Sequence, residues 1–292
     1  MTSIIMFTGK GGVGKTTCAA ATALHHASRG EPTLAISTDA TPSLTHIFES
    51  EDDNVPPSLS IIEIGEREVR QMWDAKFGRE VYEVFSAFVD ISYEEFVEFI
   101  TSVLPGLGEE FMLDYIREKS LAGTYQNIIW DTAPLGQTLS LLEMPALLGE
   151  HLRMAPRVYS RLKLGRHSRE PVLDILKRWE MLSATNVDFL RNEVHFTMVT
   201  IPEALAVAQL ESVFQELGRY GLAVKRIIVN NVVMSPDSEF LRTKARQQEQ
   251  YLKHIRAKYG NLMIIELPMF PQEVRGPQKL GEVQKILIQG GL

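Results

Sequence analysis

Cysteine is almost missing from this chain: Cys18 is the only one in 292 residues. A single thiol excludes a disulfide within the chain and any cysteine-rich metal cluster, which suits a reducing compartment. Long apolar runs are missing too, and none approaches the roughly 20 residues that a membrane-spanning helix needs. There is no basic excess. Lys and Arg number 30 against 37 Asp and Glu, for a formal net charge of −7 and an isoelectric point near 5.6. That balance argues against nonspecific nucleic-acid binding, which needs a positive surface against the phosphates. No repeat or low-complexity tract occurs. The start "SIIMF" reads as a strand, without the charged and cleavable pattern of a secretory signal, so a cytoplasmic location is expected.

With 45% hydrophobic and 23% charged residues, the composition is that of an ordinary globular protein. The length allows one large domain or a domain with an insertion. Charge is unevenly spread, with 18 acidic against 6 basic residues over 49–119 and 9 basic against 4 acidic over 151–192. Such runs form solvated helix faces or steer a charged partner.

Short apolar runs punctuate the chain at 3–7, 33–37, 60–64, 127–131, 195–200, 226–230 and 262–267. They are continuous rather than alternating, as strands covered on both faces are. Helical patterns lie between most of them, which predicts an α/β fold with a mainly parallel sheet. Residues 66–121 and 145–192 break that rhythm with helix after helix. The expected organisation is one nucleotide-binding domain over 1–292, with a helical subdomain built from these two insertions.

"GKGGVGKT", Gly9 to Thr16, fits G-x-x-x-x-G-K-[ST] between a predicted strand and a predicted helix. Gly9, Gly11, Gly12 and Gly14, with Val13 between them, let backbone N–H groups wrap phosphates at a helix N-terminus. Lys15 is expected to reach the β- and γ-phosphates, Thr16 to ligate Mg²⁺, and Thr17 to bond the α-phosphate. Asp131 ends the run "NIIWD", at the sheet edge where open α/β folds bind ligands. A carboxylate there can hold Mg²⁺ through water, or simply cap the next turn. In "APLG" after it, Gly136 is a candidate backbone contact to the γ-phosphate. Asp39, at the end of "IST", can orient a water or cap a turn. His25 and His26 are adjacent and point apart on a helix, so no histidine metal site is expected.

These stretches resemble the arsenite-pump ATPase and guided-entry targeting ATPase family (ArsA-like). It lies within the dimerising P-loop class that also holds MinD and the nitrogenase iron protein. The likeness runs through "KGGVGKTT", "STDATPSL", "LPGLGEE", "DTAPLGQTLSLLEMP", "VTIPEAL", "IIVNNV" and "ELPMFPQEVRG". It implies an ATP- and Mg²⁺-dependent P-loop ATPase acting as a homodimer. Lys10 then crosses the interface to the partner's nucleotide, and Asp39 activates the attacking water. Asn230 reads the adenine edge, with Phe270 and Pro271 near the base.

Three departures accompany the likeness. "DATP" (39–42) lacks the family's histidine, Leu135 and Gln137 replace a threonine and a histidine, and Ser238 and Leu241 stand where many members carry zinc-binding cysteines. Arsenite coordination calls for soft thiolates, typically three, so a single cysteine argues against metalloid transport. Targeting members bind a client's membrane-anchor helix in their helical subdomain. Here Met72, Trp73, Phe77, Val81, Val84, Phe85, Phe88, Val89, Phe96, Phe99, Ile100 and Leu104 form an apolar stripe, as core or as groove. The alternative is a MinD- or partition-like scaffold ATPase with another protein or surface partner.

Overall fold

The computed structural model describes residues 2–39, 43–49, 55–86, 90–103, 107–132, 150, 153 and 166–291. The seven apolar runs form seven strands: β1 Ser3–Gly9, β2 Thr33–Ser37, β3 Leu59–Glu63, β4 Asn127–Asp131, β5 Val194–Thr200, β6 Val224–Val232 and β7 Met263–Pro268. Every neighbouring pair is parallel, in the order β3-β2-β4-β1-β5-β6-β7. Consecutive β1 residues Ile4, Ile5, Met6 and Phe7 are all buried, so both faces of the central strand are covered. Each such side chain contributes roughly 1.5–3 kcal/mol by leaving water.

One face of the sheet carries α1, Lys15–Ser28, and a helix over Gly276–Gln289 (α10 below). The α1 residues Ala19, Ala20, Ala21 and Ala23 are buried, and their small side chains bring the helix close to the strands. Cys18 packs there fully buried, as its place on α1 predicts, and burial pushes its thiol pKa up. The remaining described helices are α2 Leu44–Phe48, α3 Glu66–Trp73, α4 Arg79–Phe85, α5 Tyr93–Val103, α6 Leu107–Leu121, α7 Arg166–Asn192, α8 Ala204–Arg219, α9 Glu239–Tyr259 and α10. A π turn, Asp74–Gly78, joins α3 to α4.

Contacts divide the chain into two units: Met1–Glu63 with Lys119–Leu135 and Glu193–Leu292, and Ile64–Glu118 with Gly136–Asn192. The first unit holds the sheet. The second is helical among its described residues, and its core is aromatic. Phe77 stacks on Trp179 at 5.6 Å between ring centroids and meets Phe111 edge-on at 6.1 Å. Phe96 lies 5.2 to 6.0 Å from Phe85, Tyr82 and Trp73. Of the apolar stripe, Trp73, Phe77 and Phe96 are core, whereas Met72, Val81, Val84, Phe85 and Ile100 are half-buried. Phe99 is exposed, and Phe88, Val89 and Leu104 lie outside the described residues.

An ion pair joins the two oppositely charged insertions, and others form within the acidic one. Arg178 on α7 pairs with Glu80 on α4. Lys76 in the π turn pairs with Asp114 and Glu118 on α6, and Arg117 bonds Asp114 at 2.6 Å and Asn186 at 3.0 Å. Deeper still, the Glu110 carboxylate takes the Trp179 indole N–H at 3.0 Å while its other oxygen has no partner among the described residues. Burial pushes its pKa up to about 7, against the opposing pull of the Trp179 and Ser183 hydrogen bonds.

An unfolded glutamate releases its proton near 4.5, so the folded form binds more protons between about 4.5 and 7. Stability therefore falls as pH rises through that window and levels above it. Glu110→Gln should remove the fall, gaining on the order of 3 kcal/mol over wild type at pH 8 relative to their difference at pH 4. Urea unfolding at the two pH values checks this, and an unchanged pH slope would refute it.

Candidate functional site

β1 delivers the chain to the phosphate loop, and α1 takes it away. Two glycines have no substitute in that turn. Gly9 sits at φ 150° against the Val199 carbonyl of β5, and Gly14 at φ 96° against the Asn230 side-chain amide. A Cβ at either would collide. Lys15 opens α1, and its ammonium donates to the Lys10 carbonyl at 3.1 Å. Burial lowers its pKa, opposed by the nearby charges of Asp131 and Asp39. The Lys10 side chain is exposed, as are Gly11 and Gly12, on the outer side of the loop.

Sheet order then brings the carboxylates in. β4 lies between β1 and β2, with Asp131 in register with Phe7 on one side and Ser37 on the other. Thr38 N–H donates to the Asp131 carbonyl at 3.0 Å, which sets the chain direction just before Asp39. Thr16 Oγ1 donates to Asp131 Oδ2 at 2.7 Å. Asp131 is 1% exposed, and burial pushes its carboxyl up to about 6, opposed by the Thr16 hydrogen bond and the Lys15 charge. Its second oxygen, Oδ1, is buried without a partner among the described residues. A hydroxyl beside an under-satisfied buried carboxylate is a hard-oxygen donor set that suits hydrated Mg²⁺.

A cavity of about 510 Å³ continues from the loop. Thr16, Thr17, Asn230 and Phe270 all line it, while Pro271 is exposed and is not among the lining residues. Asn230 Nδ2 donates to the Val13 carbonyl at 3.0 Å, so this side chain braces the phosphate loop from β6. The strand is bulged there: Asn231 has φ 59°, and the register shifts between Val229 and Val232. Buried Gln248 on α9 spans the bulge, donating to the Asn231 carbonyl at 2.8 Å and accepting from Val233 N–H at 2.8 Å.

Gly136, Leu135, Gln137 and the Ala40–Pro42 stretch lie outside the described residues. Gln248 and Glu63 carry no site pattern in the sequence, and Arg275 stands out only within the "EVRG" likeness. An Asn-Asn pair inside a strand was the one available hint of the bulge.

A parallel sheet with this loop at the end of its central strand defines a P-loop nucleoside triphosphatase. Residues 2–289 match the ArsA family of anion-transporting ATPases, so the chain belongs to that family. It is 29% identical to an Aquifex aeolicus protein named as an arsenical pump-driving ATPase, covering 98% of this chain and 99% of that one. It is 30% identical to ATPase GET3 of Komagataella phaffii, over 96% and 88% of the two chains, and 28% identical to ATPase GET3A of Arabidopsis thaliana, over 93% and 80%.

Gly14→Ala should weaken nucleotide binding at least tenfold, from about 1–2 kcal/mol of left-handed strain together with the collision at Asn230. The double variant Gly14→Ala/Asn230→Ala should recover only part, because the backbone strain remains. Titration with a fluorescent ATP analogue measures both, and wild-type affinity in Gly14→Ala would contradict the loop geometry.

Proposed function

We propose that this ATPase works as a nucleotide-gated homodimer that couples ATP binding and hydrolysis to capture and release of a hydrophobic helix in a client protein. One observation carries the chemical part of this reading. Lys15, Thr16, Asp131 and Asp39 converge at one sheet edge, with one Asp131 oxygen unpartnered among the described residues.

Lys15 and the loop N–H groups hold the β- and γ-phosphates, and Thr17 the α-phosphate. Thr16 and Asp131 hold Mg²⁺, which when bound neutralises charge on the phosphate oxygens. Asp39 orients a water whose oxygen bonds to the γ-phosphorus as the bond to the bridging oxygen breaks, leaving ADP and phosphate. Gly136, outside the described residues, supplies a backbone N–H to the γ-phosphate. Asn230 donates from its side-chain nitrogen to the Val13 carbonyl. Its oxygen is left to accept the adenine amino group, and Phe270 flanks the base.

Exposure of Lys10 supports a role toward a second copy, where it offsets developing charge on that copy's nucleotide. Ser238 and Leu241 stand where zinc-binding cysteines would be needed, so the proposed dimer rests on nucleotide and packing contacts. The client part rests on likeness to proteins named ATPase GET3. Exposed Phe99 and Met181 and the half-buried stripe of the helical unit are the surface available for it. Metalloid transport forms no part of the proposal, because the single thiol is buried on α1 and arsenite coordination calls for several.

Lys10→Ala and Asp39→Asn should each lower turnover by about 10²–10³ while keeping nucleotide binding. Mixed in equal amounts after subunit exchange, they should regain about a quarter of wild-type activity, since half the dimers carry one complete site. No recovery would overturn the exchange of Lys10 between copies. Asp39→Asn with ATP should also retain a tail-anchor segment in stoichiometric amount in a pull-down, and no capture in either nucleotide state would remove the client reading.

A further inference from the structure

The short helix α2 begins five residues after Asp39 and is gripped at both ends by side chains from distant parts of the chain. At its start, Glu63 Oε1 accepts the N–H groups of Leu44 at 2.8 Å and Thr45 at 3.1 Å. At its end, Arg275 Nε donates to the His46 carbonyl at 3.2 Å, and the same guanidinium bonds Glu49 at 2.6 Å. The other Glu49 oxygen lies 3.0 Å from His46 Nδ1. Arg275 immediately precedes α10, in the segment that follows β7.

α2 and the β7–α10 segment face one cavity. Ser43, His46 and Ile47 line it from the α2 side, and residues 272–275 line it from the β7–α10 segment. Thr16 and Thr17 line it at the phosphate-loop end. Arg275 thus belongs to one wall and holds the helix that forms the other. Its planar fork suits the task, since one guanidinium can serve a backbone carbonyl and a carboxylate together, which an ammonium point charge does less well.

We propose that Arg275 is a positioning residue, a strap that ties α2 to the β7–α10 segment so that filling the cavity with the nucleoside fixes α2, which begins five residues from Asp39. The inference rests on the nucleotide-site reading above and extends it to the way the nucleoside end acts on the hydrolytic end. Arg275 touches no reacting atom; its effect passes through α2. The side chains of Arg275 and Glu49 are 52% and 47% exposed, so their pair adds little to global stability and its removal leaves the fold intact. Its consequence is local, because α2 is a helix of five residues that needs outside partners to persist.

The test compares wild type, Arg275→Gln, Glu49→Gln and the double variant by ATP turnover, ADP affinity and backbone hydrogen exchange with and without Mg·ADP. In wild type, Mg·ADP should slow exchange both in residues 15–20 of α1 and in residues 44–49. Arg275→Gln should abolish the slowing at 44–49, keep it at 15–20, and lower kcat about tenfold with less than threefold change in affinity. The double variant should be no slower than Arg275→Gln alone, as expected for two members of one contact. Retained protection at 44–49, or unchanged kcat in Arg275→Gln, would overturn the strap. Multiplied losses in the double variant would overturn the Arg275–Glu49 link through which it acts. Absence of protection at 15–20 in the wild type would instead overturn the nucleotide-site reading, and the strap with it.

Discussion

Two opposite charges held out of water at one end of a parallel sheet organise this protein: the Lys15 ammonium and the Asp131 carboxylate. The strand interiors are apolar on both faces, so polar groups can gather only where strands end. Parallel pairing brings the ends of β1, β2 and β4 together, and with them the phosphate loop, Asp39 and Asp131. Burial strains both groups in opposite senses, lowering the lysine pKa and raising that of the aspartate, while each relieves the other. One carboxylate oxygen is satisfied by Thr16 and one has no partner among the described residues. A site so arranged is incomplete by itself, which supports the proposed binding of phosphates and a cation.

The supports around this pair are chosen by geometry more than by chemistry. Asn230 braces the loop because a bulge in β6 turns it, and the bulge persists because Gln248 satisfies its carbonyl and the next free N–H. Glu63 ends β3 and caps α2, so a strand tip becomes a helix start. In the helical unit the same economy appears. An acidic and a basic stretch far apart in the chain meet in the Arg178–Glu80 pair of α7 and α4, and an aromatic core forms around Phe77 and Phe96.

Much of this was legible beforehand. All seven strands lie at or within about two residues of the apolar runs, because continuous hydrophobicity over five or six residues leaves few other solutions in a P-loop context. The loop itself was legible through glycine, whose positive φ at Gly12 and Gly14 no other residue matches cheaply. The helical stripe was legible as apolar, yet its division into buried Trp73, Phe77 and Phe96 and exposed Phe99 was not. Helical period alone does not say how many neighbours a helix will have.

The sequence by itself determined the sheet, the phosphate loop, the strand-end carboxylates and membership in an ATPase family. Those features rest on local rules, namely periodicity, backbone freedom and residue chemistry at fixed spacing. Only the tertiary structure decided the partners: Asn230 with Val13 across 217 positions, and Arg275 with His46 across 229. A hydrogen bond of 3 Å between such distant residues depends on strand order and on a one-residue bulge, and neither leaves a periodic trace in the chain.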